Sequence, residues 1–173
     1  TGNYYRCLFS EKHQAAHIAL DFLRKHLKGK DYWKDYFIAY CYEAWGHTNT
    51  MLIKRKLFAT LGGFQQSFSP TEDLYMWFRL GLRYPKIGYV AEPTAVYYLR
   101  RPGSLIDSSK SRFKLEVNLK VLLDIYREAE QLGQVERFAP AGRYFARRQI
   151  RSFLFEKDLA PDIKRFIDQV SFL

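Results

Sequence analysis

Cysteine is nearly absent from this sequence: Cys7 and Cys41 are the only two in 173 residues, and they form no Cys-x-x-Cys pair. Disulfide scaffolds and structural zinc sites require several closely spaced cysteines. The composition therefore argues against both classes and indicates a reducing compartment.

Long apolar segments are also missing. The longest uninterrupted apolar run covers residues 36–42, whereas a membrane-spanning helix needs about 20 apolar residues. The start of the sequence shows no basic, apolar, cleavable signal. We therefore expect a cytoplasmic protein, or one that lies peripherally at the inner face of the membrane.

Acidic residues are outnumbered by basic ones. The sequence has 28 Lys and Arg against 18 Asp and Glu, a net charge of +10, which favours an anionic partner such as nucleic acid, anionic lipid or a phosphorylated small molecule. A hydrophobic content of 47% and an aromatic content of 17% exclude a disordered chain. One globular unit is expected from this length.

The hydrophobic pattern predicts a mixed α/β chain with few strands. Strands are expected at residues 48–53, 87–90 and 94–99, and helices at residues 11–28, 54–61, 108–133, 141–156 and 161–170, with a further helix opening at Glu72. Residues 32–45 are rich in aromatic side chains but show no regular hydrophobic period, so no secondary structure is predicted for them. We expect a mixed part over residues 1–106 and a helical extension packed on it over residues 107–173.

Two adjacent carboxylates, Glu72 and Asp73, open the aromatic helix in the stretch SPTEDLYMWFRLG. Free N–H groups and the positive dipole end favour carboxylates at helix starts, and Thr71 or Ser69 is the candidate cap. Successive helix residues point about 100° apart, so only Asp73, four residues before Trp77, shares a face with that ring. This placement suits a general base, and helix capping is the alternative.

Three stretches follow one another: TNTMLIKRKLFATLGGF, SPTEDLYMWFRLGLRY and KIGYVAEPTAVYYLRRPGSL. Their order resembles the second half of the catalytic domain of inverting family 2 glycosyltransferases, which have the GT-A fold. The resemblance is strong over about a third of the chain. It implies a partial, Rossmann-like GT-A half with few strands, followed by a helical C-terminal extension.

The resemblance implies that Asp73 takes the proton from an acceptor hydroxyl while that oxygen displaces the nucleoside diphosphate of a nucleotide-sugar donor. Glu72 is then a structural or acceptor-binding partner. The loop that begins at Gly63 would line the acceptor side, the alternative being that Gly62 and Gly63 only end a helix.

Three further side chains are candidate substrate contacts: Asn49, Trp77 and Arg79. Each has a structural alternative, since Asn49, like His47, is also expected as a satisfied core polar group. Trp77 is also expected in core packing, and Arg79 in an ion pair on the helix surface.

An arginine-rich turn follows the last predicted strand, where Arg100 and Arg101 stand close to Ser104. Guanidinium groups and the backbone N–H groups of a glycine-containing turn can hold a leaving diphosphate, and a solvated basic turn is the alternative. Many family members carry a metal-binding His where this chain has Arg101. Direct charge compensation by Arg101 is therefore expected there instead of metal binding.

The donor-binding motif of the family is missing. No Asp-x-Asp occurs in the sequence, so the Mn or Mg expected for the full-length enzyme would take its ligands mostly from outside this chain. Either a donor-binding half precedes Thr1, which we favour, or the chain is a relic that has lost the chemistry. A glycan or lipid-linked acceptor, in polysaccharide or glycan biosynthesis, is the expected second substrate.

A basic row lies in the predicted C-terminal helices, where Arg143, Arg147 and Arg151 recur every four residues with Arg148 alongside. This row is either a solvated face or a surface for anionic lipid head groups. A non-catalytic basic module that binds an anionic surface or partner is thus the alternative function. No nucleic-acid-binding motif occurs, so we expect no nucleic acid partner.

Overall fold

The computed structural model describes residues 1–8, 14–16, 18–99 and 111–173. Its strands are β1 (Gly2–Leu8), β2 (Gln14–Ala16), β3 (Tyr32–Trp33), β4 (Ile87–Gly88) and β5 (Val90–Leu99). Its α-helices are α1 (Leu20–Leu27), α2 (Tyr36–Cys41), α3 (Arg55–Thr60), α4 (Glu72–Arg83), α5 (Ser111–Gln131), α6 (Val135–Phe153) and α7 (Ala160–Val170). Short 3-10 turns lie at Thr48–Thr50, Gln66–Phe68 and Lys157–Leu159. The predicted mixed α/β class is confirmed.

The larger sheet has three strands in the order β2-β1-β5. The central strand, β1, runs antiparallel to β2 and parallel to β5, with Arg6 opposite Tyr97. The register shifts on either side of Asn3. Strands β3 and β4 form a separate antiparallel pair.

Asn3 is fully buried at this irregular point of β1. Its amide nitrogen donates to the carbonyl oxygens of Ile18, at 2.8 Å, and Ala91, at 3.1 Å, while its side-chain oxygen accepts from the backbone N–H groups of Tyr4 and Ile18. A buried amide must be satisfied in this way to avoid a desolvation cost. Asn3 therefore joins the start of β5 to the segment before α1.

Helix α4 lies in the centre of the larger core. Its buried residues include Phe78, whose ring contacts Phe37 of α2 and Phe138 of α6 at centroid distances of 6.1 and 5.7 Å. All three rings are 0 or 1% exposed. Helices from both parts of the chain thus share one core, and the predicted boundary near residue 106 lies outside the described residues.

One predicted element is wrong in part and another is wrong in type. A helix was expected over residues 11–28, but Gln14–Ala16 pair with β1 and the helix covers only Leu20–Leu27. A strand was expected at residues 48–53, but Thr48–Thr50 form a 3-10 turn. In that turn the Thr50 hydroxyl accepts from His47 N–H at 3.0 Å and donates to the His47 carbonyl at 2.9 Å. Such local side-chain bonds compete with a strand ladder.

The other predicted helices are confirmed, with shifted ends. Helix α6 begins at Val135 and contains Pro140, whereas the prediction began it after that proline. Gly62 and Gly63 end the helix before them with φ values of +79° and +68°, a conformation that favours glycine. Within the described ranges, no helix combines the length and apolarity that a membrane crossing requires.

Candidate functional site

Asp73 lies in the first turn of α4, as predicted. Its Oδ1 accepts a hydrogen bond from the backbone N–H of Leu74 at 2.7 Å. Thr71, one of the two predicted caps, occupies the N-cap position, but its side chain forms no cap bond, and its hydroxyl donates to the Phe68 carbonyl at 3.0 Å. Asp73 itself therefore satisfies an N–H group of the first helical turn.

The second oxygen of Asp73 faces a different element. Thr48 donates a hydrogen bond from its hydroxyl to Oδ2 of Asp73 at 2.6 Å. Thr48 is exposed, and Asp73 is intermediate in exposure. Asp73 has no ion pair with any of the described residues. The carboxylate is thus oriented by two hydrogen bonds, and no described cation neutralises it.

The turn that carries Thr48 is attached to β5. Asn49 donates from Nδ2 to the carbonyl oxygen of Val96 at 3.3 Å, and its Oδ1 lies 3.0 Å from Nδ1 of His47. Val96 stands three residues before the end of β5. The contacts of Asn49 are therefore structural in this state, and they bring the carboxyl end of β5 close to the turn beside Asp73.

His47 packs between aromatic rings behind this turn. Its ring centroid lies 4.2 Å from that of Tyr97 and 5.5 Å from that of Tyr4. Burial lowers the pKa of His47, and the Asp73 charge and the Asn49 hydrogen bond oppose this only in part. Neutral imidazole is therefore the favoured form near pH 7.

Two buried phenols, Tyr36 and Tyr40, feel the charge of Asp73. Burial is the main cause that raises the pKa of Tyr36 and of Tyr40 well above the ordinary value, and the Asp73 charge adds to both. Tyr36 donates its hydroxyl to the Trp45 carbonyl at 3.2 Å. Both phenols therefore stay neutral near pH 7.

Glu72, the other member of the acidic pair, is like Asp73 intermediate in exposure. Its Oε2 is buried and has no hydrogen-bond partner among the described residues. A buried carboxylate oxygen without a donor is costly, so this atom has an unused capacity to accept. The predicted role of Glu72 as a structural or acceptor-binding partner stays a prediction.

Trp77 belongs to the core. It is 3% exposed, and its ring packs edge-on against Phe64 at a centroid distance of 5.7 Å. Trp77 also forms part of the wall of a largely apolar cavity of about 660 Å³, together with Leu57 and Tyr84. Asp73 is not part of that wall. A contact of Trp77 with substrate stays a prediction.

Arg79 is engaged within the protein. It donates from Nε to Glu128 at 3.0 Å and from Nη1 to the Leu61 carbonyl at 2.6 Å. Arg83 also forms an ion pair with Glu128. These contacts tie α4 to α5 and to the end of α3. The ion pair expected as the alternative for Arg79 is present, but it lies between helices and not on the helix surface, since its two side chains are only 16% and 14% exposed.

The remaining predicted site residues divide into two groups. Gly63 lies three residues after the end of α3, where an added Cβ would lie 3.3 Å from the Phe58 ring. Arg100, Arg101 and Ser104 lie outside the described residues. The structure thus places Asp73 beside the turn that contains Asn49. Trp77 instead packs in the core, and Arg79 forms an ion pair.

Thr48 is a site residue that the sequence pattern did not predict. The sequence feature that indicates a role for Thr48 is the run His-Thr-Asn-Thr at residues 47–50, in which every side chain can form hydrogen bonds. Such a run predicts a turn held by its own side chains. Its contact with a carboxylate 25 residues later depends on how α4 packs and could not be seen locally.

A divalent metal does not fit the part of the site that the structure describes. Among residues 1–8, 14–16, 18–99 and 111–173, no group of three or more His, Cys, Asp and Glu side chains is placed to hold one. Around Asp73, the hydroxyl of Thr48 donates and the amide of Asn49 is used by β5. We therefore derive no chemical step through a metal at these residues.

Comparison of the chain with protein-family models, curated proteins and solved structures found no match.

Proposed function

We propose that this chain supplies the acceptor side and the general base of a nucleotide-sugar-dependent, inverting glycosyltransferase. The observation that supports this best is the placement of Asp73, partly exposed, unpaired with any described cation, and oriented from both sides by Thr48 and Leu74. The proposal also rests on the resemblance of residues 49–105 to family 2 glycosyltransferases, and the mixed α/β class of the chain is compatible with it.

In the proposed reaction, Asp73 accepts the proton of an acceptor hydroxyl. That oxygen attacks the anomeric carbon of the donor as the bond from this carbon to the diphosphate breaks. The electron pair of the broken bond leaves on the diphosphate, and the proton remains on Asp73 until water removes it. Attack opposite to the leaving group inverts the anomeric configuration.

The described residues support a base function electrostatically. The charge of Asp73 acts on Tyr36, Tyr40 and His47, and none of these three side chains adds positive charge near pH 7. The Thr48 hydroxyl holds Oδ2 in place, and a fixed base loses less entropy when the acceptor arrives.

The diphosphate requires positive charge, which this proposal assigns to Arg100 and Arg101. Both follow β5 directly in the sequence, and β5 reaches the Asp73 turn through the Asn49 contact to Val96. A divalent metal, when present in the complete enzyme, would neutralise the diphosphate from ligands in other parts of the protein.

The proposed function is tested by the stereochemistry of transfer. The full-length protein is incubated with a panel of nucleotide sugars and glycan or lipid-linked acceptors, and the anomeric coupling constants of the first product are read by NMR. We expect transfer with inversion. Transfer with retention, or no transfer from any donor while the protein is folded, would contradict the proposal.

A further inference from the structure

The outer face of α6 carries a row of exposed cations. Arg143, Arg147 and Arg151 recur every four residues and are all exposed, so they follow one side of the helix over about two turns. Arg147 and Arg151 make no hydrogen bond or ion pair with the described residues, whereas Arg143 donates to the Leu173 carbonyl. The row therefore offers at least two guanidinium groups that the described part of the chain does not use.

Arg148 is not part of this row. Its guanidinium lies over the Trp45 ring, 4.3 Å from the centroid. This cation–π contact directs Arg148 towards the packed side of α6. The arginines of α6 that have no partner among the described residues therefore lie on a single face of this helix.

The row ends in exposed apolar side chains. Leu154 follows Arg143 by eleven residues, close to three full helical turns, so it falls on the same face. Its backbone is still helical, with φ −57° and ψ −29°. Leu154 is 59% exposed and the adjacent Phe155 is 91% exposed. Two exposed apolar side chains thus follow, along the chain, two arginines that have no partner among the described residues, and this combination gives an amphipathic edge.

We propose that this edge, defined by Arg147, Arg151, Leu154 and Phe155, docks on an anionic lipid bilayer. Guanidinium groups form paired hydrogen bonds with phosphate, so the arginines contact the head groups. Leu154 and Phe155 then enter the boundary between the head groups and the acyl chains. A soluble polyanion would use the same arginines but would give these two apolar side chains no apolar phase to enter. This inference is independent of the proposed glycosyltransferase activity.

The test measures co-sedimentation of the full-length protein with vesicles of phosphatidylcholine alone and of phosphatidylcholine with about one-third phosphatidylglycerol. The variants are Arg147→Glu with Arg151→Glu, and Phe155→Ser. The matched control is Arg55→Glu with Lys56→Glu, which reverses two exposed cations close to another exposed leucine, Leu52 at 94%. Circular dichroism checks that each variant is folded.

We expect wild-type protein to bind the anionic vesicles, the arginine variant to bind at least about tenfold more weakly, and Phe155→Ser to bind several-fold more weakly. The control should bind like wild type. Equal losses in the control and the arginine variant would overturn the proposal in favour of attraction by net charge. Full binding by Phe155→Ser, or no binding of wild type to anionic vesicles, would also overturn it. If wild type binds heparin but no vesicle, the partner is a soluble polyanion.

Discussion

The hydroxyl of Thr48 donates a 2.6 Å hydrogen bond to Oδ2 of Asp73, across 25 residues of sequence. The other oxygen of Asp73 accepts from the Leu74 N–H. One carboxylate thus serves both as a partner for the helix start and as the attachment point of the turn before α3. From the sequence, helix capping and a base function are alternatives for Asp73. The two are compatible, because the helix start uses Oδ1 and the proposed base uses Oδ2.

Replacing Thr48 by Val removes the donor and keeps the shape of the side chain. We expect the free energy of unfolding to fall by about 1 kcal/mol, since the bond is to a charged but partly exposed acceptor. Urea denaturation measures this, with Thr48→Ser as the control that keeps the hydroxyl. If Thr48→Val is as stable as wild type, the bond does not contribute to folding.

His47 predicts a pH dependence of stability. Its pKa in the folded protein lies below the ordinary value because of burial, so the unfolded state binds more protons and stability falls as pH drops through the ordinary histidine range near 6.5. Between about pH 7.5 and 5, wild type should therefore lose more stability than His47→Gln. Thermal unfolding of both proteins across this range measures the difference, and parallel curves would contradict it.

Glu128 forms ion pairs with two arginines, Arg79 and Arg83, and its side chain is 14% exposed. Removing it by Glu128→Ala leaves two partly buried cations without their partner, and we expect a loss of about 2–3 kcal/mol. The control is Asp124→Ala, because its partner Arg127 is 68% exposed and Asp124 is 31% exposed, and this more solvated pair should change stability by less than about 0.5 kcal/mol. Equal effects in chemical denaturation would contradict the structural role of Glu128.

Gly81 marks a close approach of α4 to α2. A Cβ added there would lie 2.6 Å from Cδ1 of Tyr36, a ring that is 2% exposed. Gly81→Ala should therefore destabilise the protein by about 1–3 kcal/mol, although alanine is the better helix former. Gly88→Ala is the control, since its nearest neighbour is 3.9 Å away. A stabilised Gly81→Ala protein would show that the helices separate readily.

The sequence predicted the helices whose apolar periods are regular, because burial and periodicity agree there. It failed where tertiary pairing decides: Gln14–Ala16 contain two alanines, good helix formers, yet pair with β1 in the sheet. It also failed at Thr48–Thr50, where hydroxyl bonds to the backbone replace a strand. Asp73 could be predicted from its position at a helix start, whereas Thr48 could not, because only the packing of α4 brings them together.

The central claim, that Asp73 is the base for acceptor activation, is tested most directly by the transfer rate of full-length Asp73→Asn at saturating donor and acceptor. Asparagine keeps the size of the side chain and an oxygen for Thr48 but cannot take the proton. Asp21→Asn is the matched control, since Asp21 is also in the first turn of a helix and its side chain is 97% exposed. We predict a rate at least about a hundredfold lower for Asp73→Asn and an unchanged rate for Asp21→Asn. Transfer by Asp73→Asn at close to the wild-type rate would contradict the account.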